Sequence, residues 1–297
     1  MRICVFGAGS IGSCIGGMLA RENEVTLIGR KANVDAIHDG GLTLKGAVRG
    51  KVTVDARESI SGLPPPDLLI VATKAYATSS VIEACQGWVA DKTVVLTVQN
   101  GLGNFEKLHD WRCRLVVGGT TTMGAFLTEP GTVRIADLGR TVLGSPFAGK
   151  EARQIASTFR SAGIPTRTTR DIRGEIWSKA IVNASINPVS AVLRVANGEL
   201  IKNKATSRLL AEVCGECELV ADGCGIDLPY RSMYLRTRAV ARRTASNRSS
   251  MLRDIELGRK TEISNINGEI CRLGLAKGVR TPLNSALVAM VESLEKG

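Results

Sequence analysis

Aromatic residues are scarce: three Trp, three Tyr and five Phe in 297 residues, or 4%. The core must therefore be aliphatic, and a stacking platform for single-stranded nucleic acid, which needs rows of rings, is excluded. Histidine is scarcer still. His38 falls in a loop-like region rich in Gly and Asp, and His109 ends a short helical pattern beside Trp111, so both read as structural or surface residues. Any proton transfer then falls to a lysine or a carboxylate. Apolar runs stop well short of the ~18 residues of a spanning helix, and no signal-like segment precedes the first strand, so a cytoplasmic protein without a membrane partner is expected.

The eight cysteines (4, 14, 85, 113, 214, 217, 224 and 271) are scattered through apolar patterns, as expected for reduced, buried thiols. Cys214 and Cys217 form a Cys-x-x-Cys pair, but it lies mid-helix in RLLAEVCGECELVADGCG, without a βαβ context or a second ligand pair. It therefore reads as neither redox pair nor zinc site, and no metal is expected. Lys plus Arg is 39 and Asp plus Glu is 28, a net charge of +11. That surplus favours acidic partners in general. No nucleic-acid reader motif is present, so nucleic acid is not expected among them. The densest stretch, Arg236, Arg238, Arg242, Arg243, Arg248 and Arg253, reads as a solvated helix face.

Length suggests about two domains at roughly 150 residues each. In the first half, apolar runs alternate with helical patterns: Met1–Phe6, a helix from Ile11 to Arg21, Val25–Ile28, Leu68–Ala72 after Pro64-Pro65-Pro66, and Thr93–Val98. This order predicts βαβ units and a parallel sheet. Leu115–Val117, Val133–Ile135 and Thr141–Leu143 predict further short strands. From Asp171 helical periodicity dominates, and Asp-Leu-Pro at 227–229 separates two helices. The expected organisation is an α/β Rossmann-type dinucleotide-binding domain over 1–168 and an all-α domain over 169–297.

Gly7-Ala8-Gly9-Ser10-Ile11-Gly12 follows the first strand and opens a helix. In that context Gly7 permits a tight turn, Gly9 lets backbone approach a pyrophosphate, and Gly12 allows close helix–strand packing. The helix start, with Ser10 and Ile11 in its first turn, favours the diphosphate's charge. A NAD site would carry an acidic residue at the tip of the second strand; here stand Gly29-Arg30-Lys31, and Arg30 and Lys31 suit a 2′-phosphate, which predicts NADP(H). Lys74 in VATKAY and Asn100 in TVQNGLGN follow the third and fourth strands. Either they lie near cofactor and substrate, or they are a surface lysine and an ordinary Asn-Gly turn.

In the second half, Lys179, Asn183 and Asn187 recur at i, i+4 and i+8 and share one helical face. Their neighbours are mostly apolar, so the polar line needs partners, either a substrate or a structural seam. A lysine whose pKa is lowered by burial suits protonation of a carbonyl oxygen during reduction. Asn247, Ser250 and Asp254, at i, i+3 and i+7, predict a second polar helical face able to hold a carboxylate, with Glu262 shortly after it.

Together GAGSIG, VATKAY, VQNGLGN, GGTTTMGA, WSKAIVNASINP, ANGEL and NRSSMLRDIELGRKTEISNINGEI resemble the ketopantoate reductase (2-dehydropantoate 2-reductase) family, in order over nearly the whole chain. The resemblance implies a Rossmann domain joined to a helical domain like the C-terminal part of 6-phosphogluconate dehydrogenase. It also implies NADPH-dependent reduction of 2-dehydropantoate to (R)-pantoate on the route to pantothenate and coenzyme A. By the same resemblance Lys179 is the general acid and Glu262 positions it or meets the substrate hydroxyl. Asn183, Asn187, Asn197, Asn247 and Ser250 bind substrate, Lys74 and Asn100 lie near the nicotinamide ribose and substrate, and Arg30 lies at the 2′-phosphate. Three positions depart from the family pattern: Arg253 stands for a glutamine, Ser264 for an aspartate and Met123 for a histidine. Two other readings remain: a reductase of another bulky 2-oxo acid, and an NADP-binding sensor without turnover. The apolar residues of the last helix, Leu287, Val288, Met290, Val291 and Leu294, fit either a homodimer contact or core packing.

Overall fold

The computed structural model describes residues 1–111 and 115–295; Cys113 lies outside them. The chain begins with β1 (Arg2–Phe6), α1 (Ser10–Leu19), β2 (Glu24–Ile28) and α2 (Lys31–Gly40). Three short strands follow, β3 (Leu42–Gly46), β4 (Gly50–Val52) and β5 (Asp55–Arg57). Next come β6 (Leu68–Val71), α3 (Thr78–Cys85), β7 (Val94–Thr97), α4 (Asn104–Asp110) and β8 (Val116–Thr121). The α/β part closes with β9 (Gly124–Glu129), β10 (Thr132–Asp137), β11 (Thr141–Gly144), α5 (Gly149–Ser161) and β12 (Thr166–Thr169).

The main sheet has the order β12-β11-β8-β7-β6-β1-β2-β5. The six strands from β8 to β5 run parallel, and β11 pairs antiparallel with β8. Its central strands are mostly apolar, and β6 is Leu-Leu-Ile-Val with every residue buried, because a parallel sheet is covered on both faces. From β1 the chain builds outward first to β2 and later to β6, so the sheet's switch point lies at the carboxyl end of β1, where GAGSIG begins. A second sheet, β4-β3-β10-β9, had only β10 predicted in part. Helix α1 packs against both sheets. Gly16 meets Leu27 of the large sheet and Gly17 meets Leu42 of the small one, each so closely that a Cβ would fall 2.4 and 2.7 Å from a leucine methyl. His38 lies within α2 rather than in a loop: Lys31–Gly40 buries Val34 and Ile37 one turn apart, and this apolar face outweighs the local Gly and Asp content.

The helical part comprises α6 (Ile172–Leu193), α7 (Glu199–Lys202), α8 (Lys204–Gly223), α9 (Met233–Arg243), α10 (Ser250–Glu256), α11 (Ile263–Lys277) and α12 (Pro282–Glu295). Its separate core includes Ile181, Leu210, Val220, Ile266 and Val291. Side chains start several of these helices: Asn203 caps α8, Ser232 caps α9 and Ser249 caps α10. Contacts divide the chain into a unit of residues 1–99 and 104–172 and a unit of residues 100–103 and 173–297. The tetrapeptide Asn100–Gly103, which follows β7, thus belongs to the helical unit. Among the described residues no helix is long and apolar enough to cross a membrane.

Two expectations about this half need correction. Asn247 lies outside any helix, because Ser249 accepts the Leu252 N–H at 3.1 Å and starts α10 at Ser250; Asn247, Ser250 and Asp254 therefore share no helical face. The arginine stretch is also not uniformly solvated. Arg236 and Arg238 are half-buried, with guanidinium groups 4.6 and 5.7 Å from the ring centres of Tyr230 and Tyr234, while Arg242, Arg243, Arg248 and Arg253 are exposed.

Candidate active site

In the sheet unit the glycine turn is held by its own backbone. The N–H groups of Gly7 and Ala8 both donate to the Ile28 carbonyl, at 2.9 and 2.8 Å. Gly7 has φ +115°, and a Cβ there would lie 2.6 Å from the Thr73 nitrogen. A Cβ on Gly12 would strike the Gly7 carbonyl oxygen, so only hydrogen fits where helix crosses strand. Gly9 is different: a Cβ there would meet nothing within 4 Å. Open space, rather than crowding, surrounds the residue that precedes α1. No side chain caps α1 and no acidic residue lies in its first turn, so its free N–H groups and positive end face that space unopposed. This arrangement fits a dinucleotide's diphosphate. Ser10 accepts the Leu127 N–H at 3.2 Å, and Ile11 is half-buried against the core, so both fix the helix start.

Arg30 directly precedes α2 and is exposed; Lys31 is exposed too but pairs with Asp35 at 3.1 Å. Of the two cations, Arg30 pairs with no carboxylate among the described residues, and a planar guanidinium matches a phosphate. Two residues that sequence reading passed over support this end. Buried Asn33 donates to the Ala8 carbonyl at 2.9 Å and accepts the Gly131 N–H at 2.7 Å, tying the glycine turn to the small sheet. Gln99 donates to the Thr73 carbonyl at 3.2 Å and the Thr78 hydroxyl at 3.0 Å, and it accepts from Thr97 at 3.1 Å. It thereby sets the course of the chain at half-buried Lys74. A lone Asn on a helix and a Gln in a loop carry no local signal of such roles.

In the helical unit α6 presents Lys179, Asn183 and Asn187 on one face, as the spacing predicts. Lys179 is half-buried. Burial pulls its ammonium from an ordinary 10.5 down to about 8, and the negative charge of Glu262 holds it from falling further. Glu262 is buried at the start of α11 and accepts from the Asn100 amide at 3.3 Å. Asn100 is brought there by its tetrapeptide: Leu102 N–H donates to the Asn265 carbonyl at 3.1 Å, and a Cβ on Gly101 would sit 2.5 Å from the same oxygen.

Asn183 is half-buried and Asn187 buried, and among the described residues neither side-chain amide has a hydrogen-bonding partner. Their capacity is open to a ligand. Buried Asn197 donates to Thr244 at 2.9 Å and, through its backbone, to the Asn247 carbonyl at 3.0 Å, while its Oδ1 is buried without a partner among the described residues. Asn247 and Ser250 are exposed. Buried Ser249, between them, accepts from Ser190 of α6 at 2.6 Å and so anchors the segment that carries both. Among the described residues no cluster of three or more His, Cys, Asp or Glu could hold a metal ion.

A dinucleotide turn at a sheet's switch point, on a chain that also keeps a lysine poised near neutrality beside a carboxylate, is the equipment of a nicotinamide-dependent oxidoreductase acting on a carbonyl group. Comparison with known proteins narrows this class. The family profile described as Ketopantoate reductase PanE/ApbA matches residues 3–146, and its C-terminal companion matches residues 171–295. The 2-dehydropantoate 2-reductase of Pyrococcus horikoshii is 39% identical over 300 residues, covering 99% of this chain and 98% of that protein. The enzyme of that name from Archaeoglobus fulgidus is 35% identical, covering 100% and 98%. Among solved structures, a PanE/ApbA family ketopantoate reductase from Ralstonia eutropha JMP134 superposes with a TM-score of 0.93 at 32% identity, covering 100% and 99%. A ternary structure of D-mandelate dehydrogenase with NADH and anilino(oxo)acetate does so at 0.94 and 28%, again covering 100% and 99%. This chain belongs to the ketopantoate reductase PanE/ApbA family.

Proposed function

We propose that this protein reduces 2-dehydropantoate to (R)-pantoate with NADPH, and that Lys179 is the general acid. The observation that carries the reading is the half-buried Lys179 on one face of α6 with the open amides of Asn183 and Asn187, with buried Glu262 at the start of α11; burial lowers the ammonium to about 8. When bound, NADPH supplies the hydride that the 2-oxo carbon accepts. Lys179 Nζ gives a proton to the carbonyl oxygen as negative charge develops on it, so ketone becomes hydroxyl and lysine is left neutral. Glu262 keeps the lysine protonated at neutral pH and accepts from a substrate hydroxyl, and Asn100 orients the carboxylate through its 3.3 Å hydrogen bond. Asn183 and Asn187 offer open amides to the substrate's polar groups, and Asn197, Asn247 and Ser250 complete its binding. Gly7, Gly9, Ser10, Ile11 and Gly12 hold the diphosphate, Arg30 with Lys31 the 2′-phosphate, and Lys74 with Asn100 the nicotinamide ribose.

The domain division at 168/169, a cytoplasmic setting and a homodimer through the helical unit are parts of the same proposal. The described cysteines are all free thiols, in keeping with a reducing compartment. Exposed Leu275 and Met290 offer apolar surface for self-association, which light scattering tests. A second reading has a specific observation behind it: likeness to a D-mandelate dehydrogenase points to aromatic 2-oxo acids and NADH. Steady-state kinetics on ketopantoate and phenylglyoxylate, each with NADPH and NADH, decides between them. Ketopantoate with NADPH is expected to give the highest kcat/KM, and Arg30→Glu to lower it roughly tenfold or more for NADPH while sparing NADH. Preference for phenylglyoxylate would overturn the substrate, an indifferent Arg30 the phosphate contact, and absence of turnover on both acids the enzyme itself.

A further inference from the structure

Pro188 sits inside α6, between the polar face just described and the helix's carboxyl end. A helix pairs each carbonyl with the N–H four residues on, and proline has none, so the Ala184 carbonyl loses its intrahelical donor. Ala184 is fully buried and water cannot replace the bond. The replacement comes from α11: Asn267 Nδ2 lies 2.9 Å from the Ala184 oxygen. The same Nδ2 donates to Asn284 Oδ1 of α12 at 2.9 Å, and Asn284 Nδ2 donates to Glu216 Oε2 of α8 at 2.8 Å. Glu216 also accepts the backbone N–H groups of Leu283 and Asn284, at 2.8 and 3.0 Å.

Every amide orientation in this relay is dictated from its ends. A carboxylate only accepts, so Asn284 must turn its nitrogen to Glu216 and its oxygen to Asn267. An orphaned carbonyl also only accepts, so Asn267 must present nitrogen on both sides. As a result Asn267 Oδ1 is buried with no partner among the described residues, a penalty accepted to supply the donor. Ala184 adjoins Asn183 and lies five residues from Lys179, while Asn267 lies five residues from Glu262. The hydrogen bond therefore joins the helix that carries the lysine to the helix that begins at its carboxylate.

We infer that Asn267 is a positioning residue: by replacing the donor that Pro188 removes, it sets α6 against α11 and so sets the Lys179–Glu262 pair. This rests on the proposed roles of that pair, and the test separates the two ideas. Asn267→Ala, Pro188→Ala and the double variant are compared in the full chain by three readouts. These are Tm, the kcat and KM of NADPH-dependent ketopantoate reduction, and the titration of Lys179 by 13C NMR of its ε-carbon.

Asn267→Ala is expected to lower Tm by roughly 3–10 °C. It should lower kcat by up to about 10²-fold, with the KM for NADPH unchanged, and raise the Lys179 midpoint by about half a pH unit or more as water reaches the loosened helix. Pro188→Ala restores an N–H that meets the Ala184 carbonyl directly. In that background loss of Asn267 should cost less than half as much in Tm. The double variant also keeps the test open if Asn267→Ala alone fails to fold. Additive Tm losses would overturn the replaced-donor argument. A lowered Tm with kcat and the Lys179 midpoint unmoved would reduce Asn267 to a structural residue and overturn the inference. If the wild type turns over no 2-oxo acid, the proposed function fails, while the Tm cycle and the NMR midpoint still decide the role of Asn267.

Discussion

Replacing Lys179 by methionine removes a charge, keeps most of the volume, and should part stability from activity. Burial takes the ammonium from 10.5 to about 8 with Glu262 already helping to hold it up. At about 1.4 kcal/mol per pKa unit, the fold carries the charged lysine at a net cost of about 3 kcal/mol. The folded pKa is the lower one, so between about 8 and 10.5 the unfolded chain binds the extra proton. The Lys179 contribution to stability therefore rises with pH across that window and its cost is present in full below it, whereas buried Cys4, Cys14, Cys214 and Cys217, whose thiols burial pushes up, take stability away above about 9. Lys179→Met bears no such cost. It should melt higher at pH 7, by up to roughly 10 °C, and this advantage over the wild type should shrink as pH rises from about 8 to 10.5, the buried thiols being common to both proteins. Turnover should fall by about 10²–10⁴-fold. Calorimetry at neutral and alkaline pH, with NADPH absorbance as the kinetic readout, measures both. A variant that melts below the wild type at pH 7, or that retains near-wild-type turnover, would refute the reasoning.

Further outcomes follow from the same geometry. Wild-type turnover should be level below about pH 8 and decline above it, as the acid form of Lys179 is lost; Glu262→Gln removes the charge that supports this form and should move the decline to lower pH. Gly9→Ala should keep the wild-type Tm, since its Cβ meets nothing, and raise the KM for NADPH roughly tenfold. Gly7→Ala, forced to φ +115° against the Thr73 nitrogen, should instead lower Tm; a reversed pattern would contradict the assignment of the two glycines. Alkylation of the native protein should label half-buried Cys224 and Cys271 before buried Cys214 and Cys217, whose thiols burial pushes upward. Early labelling of the Cys-x-x-Cys pair would reopen a redox role for it.

What could be read from the chain alone follows the range of each interaction. The glycine turn and the Lys179–Asn183–Asn187 face are local patterns of a strand end and a helix turn, and both are legible as spacing. The small sheet is not, because β3 alternates over only four residues, β4 has three residues, and β9 buries no alternate face. The roles of Asn33, Gln99 and Asn267 depend on partners far along the chain: Gly131 is 98 residues from Asn33, and Ala184 is 83 from Asn267. Pro188 does flag an orphaned carbonyl four residues back, but nothing nearby identifies the side chain that satisfies it. The polar face expected from Asn247 to Asp254 failed for a local reason: a serine at 249 competes as a cap and delays the helix.

The tetrapeptide after β7 bears on how such proteins can be recombined. The chain passes to the helical unit at 99/100, returns at 103/104 and leaves the sheet unit for good at 172/173. A chimera made by one crossover near 172 would pair a foreign Asn100–Gly103 with this Glu262 and Asn265. Any side chain at 101 would then meet the Asn265 carbonyl at 2.5 Å. Exchange of the two units with a protein that lacks glycine at 101 therefore requires two grafted pieces, one of them only four residues long.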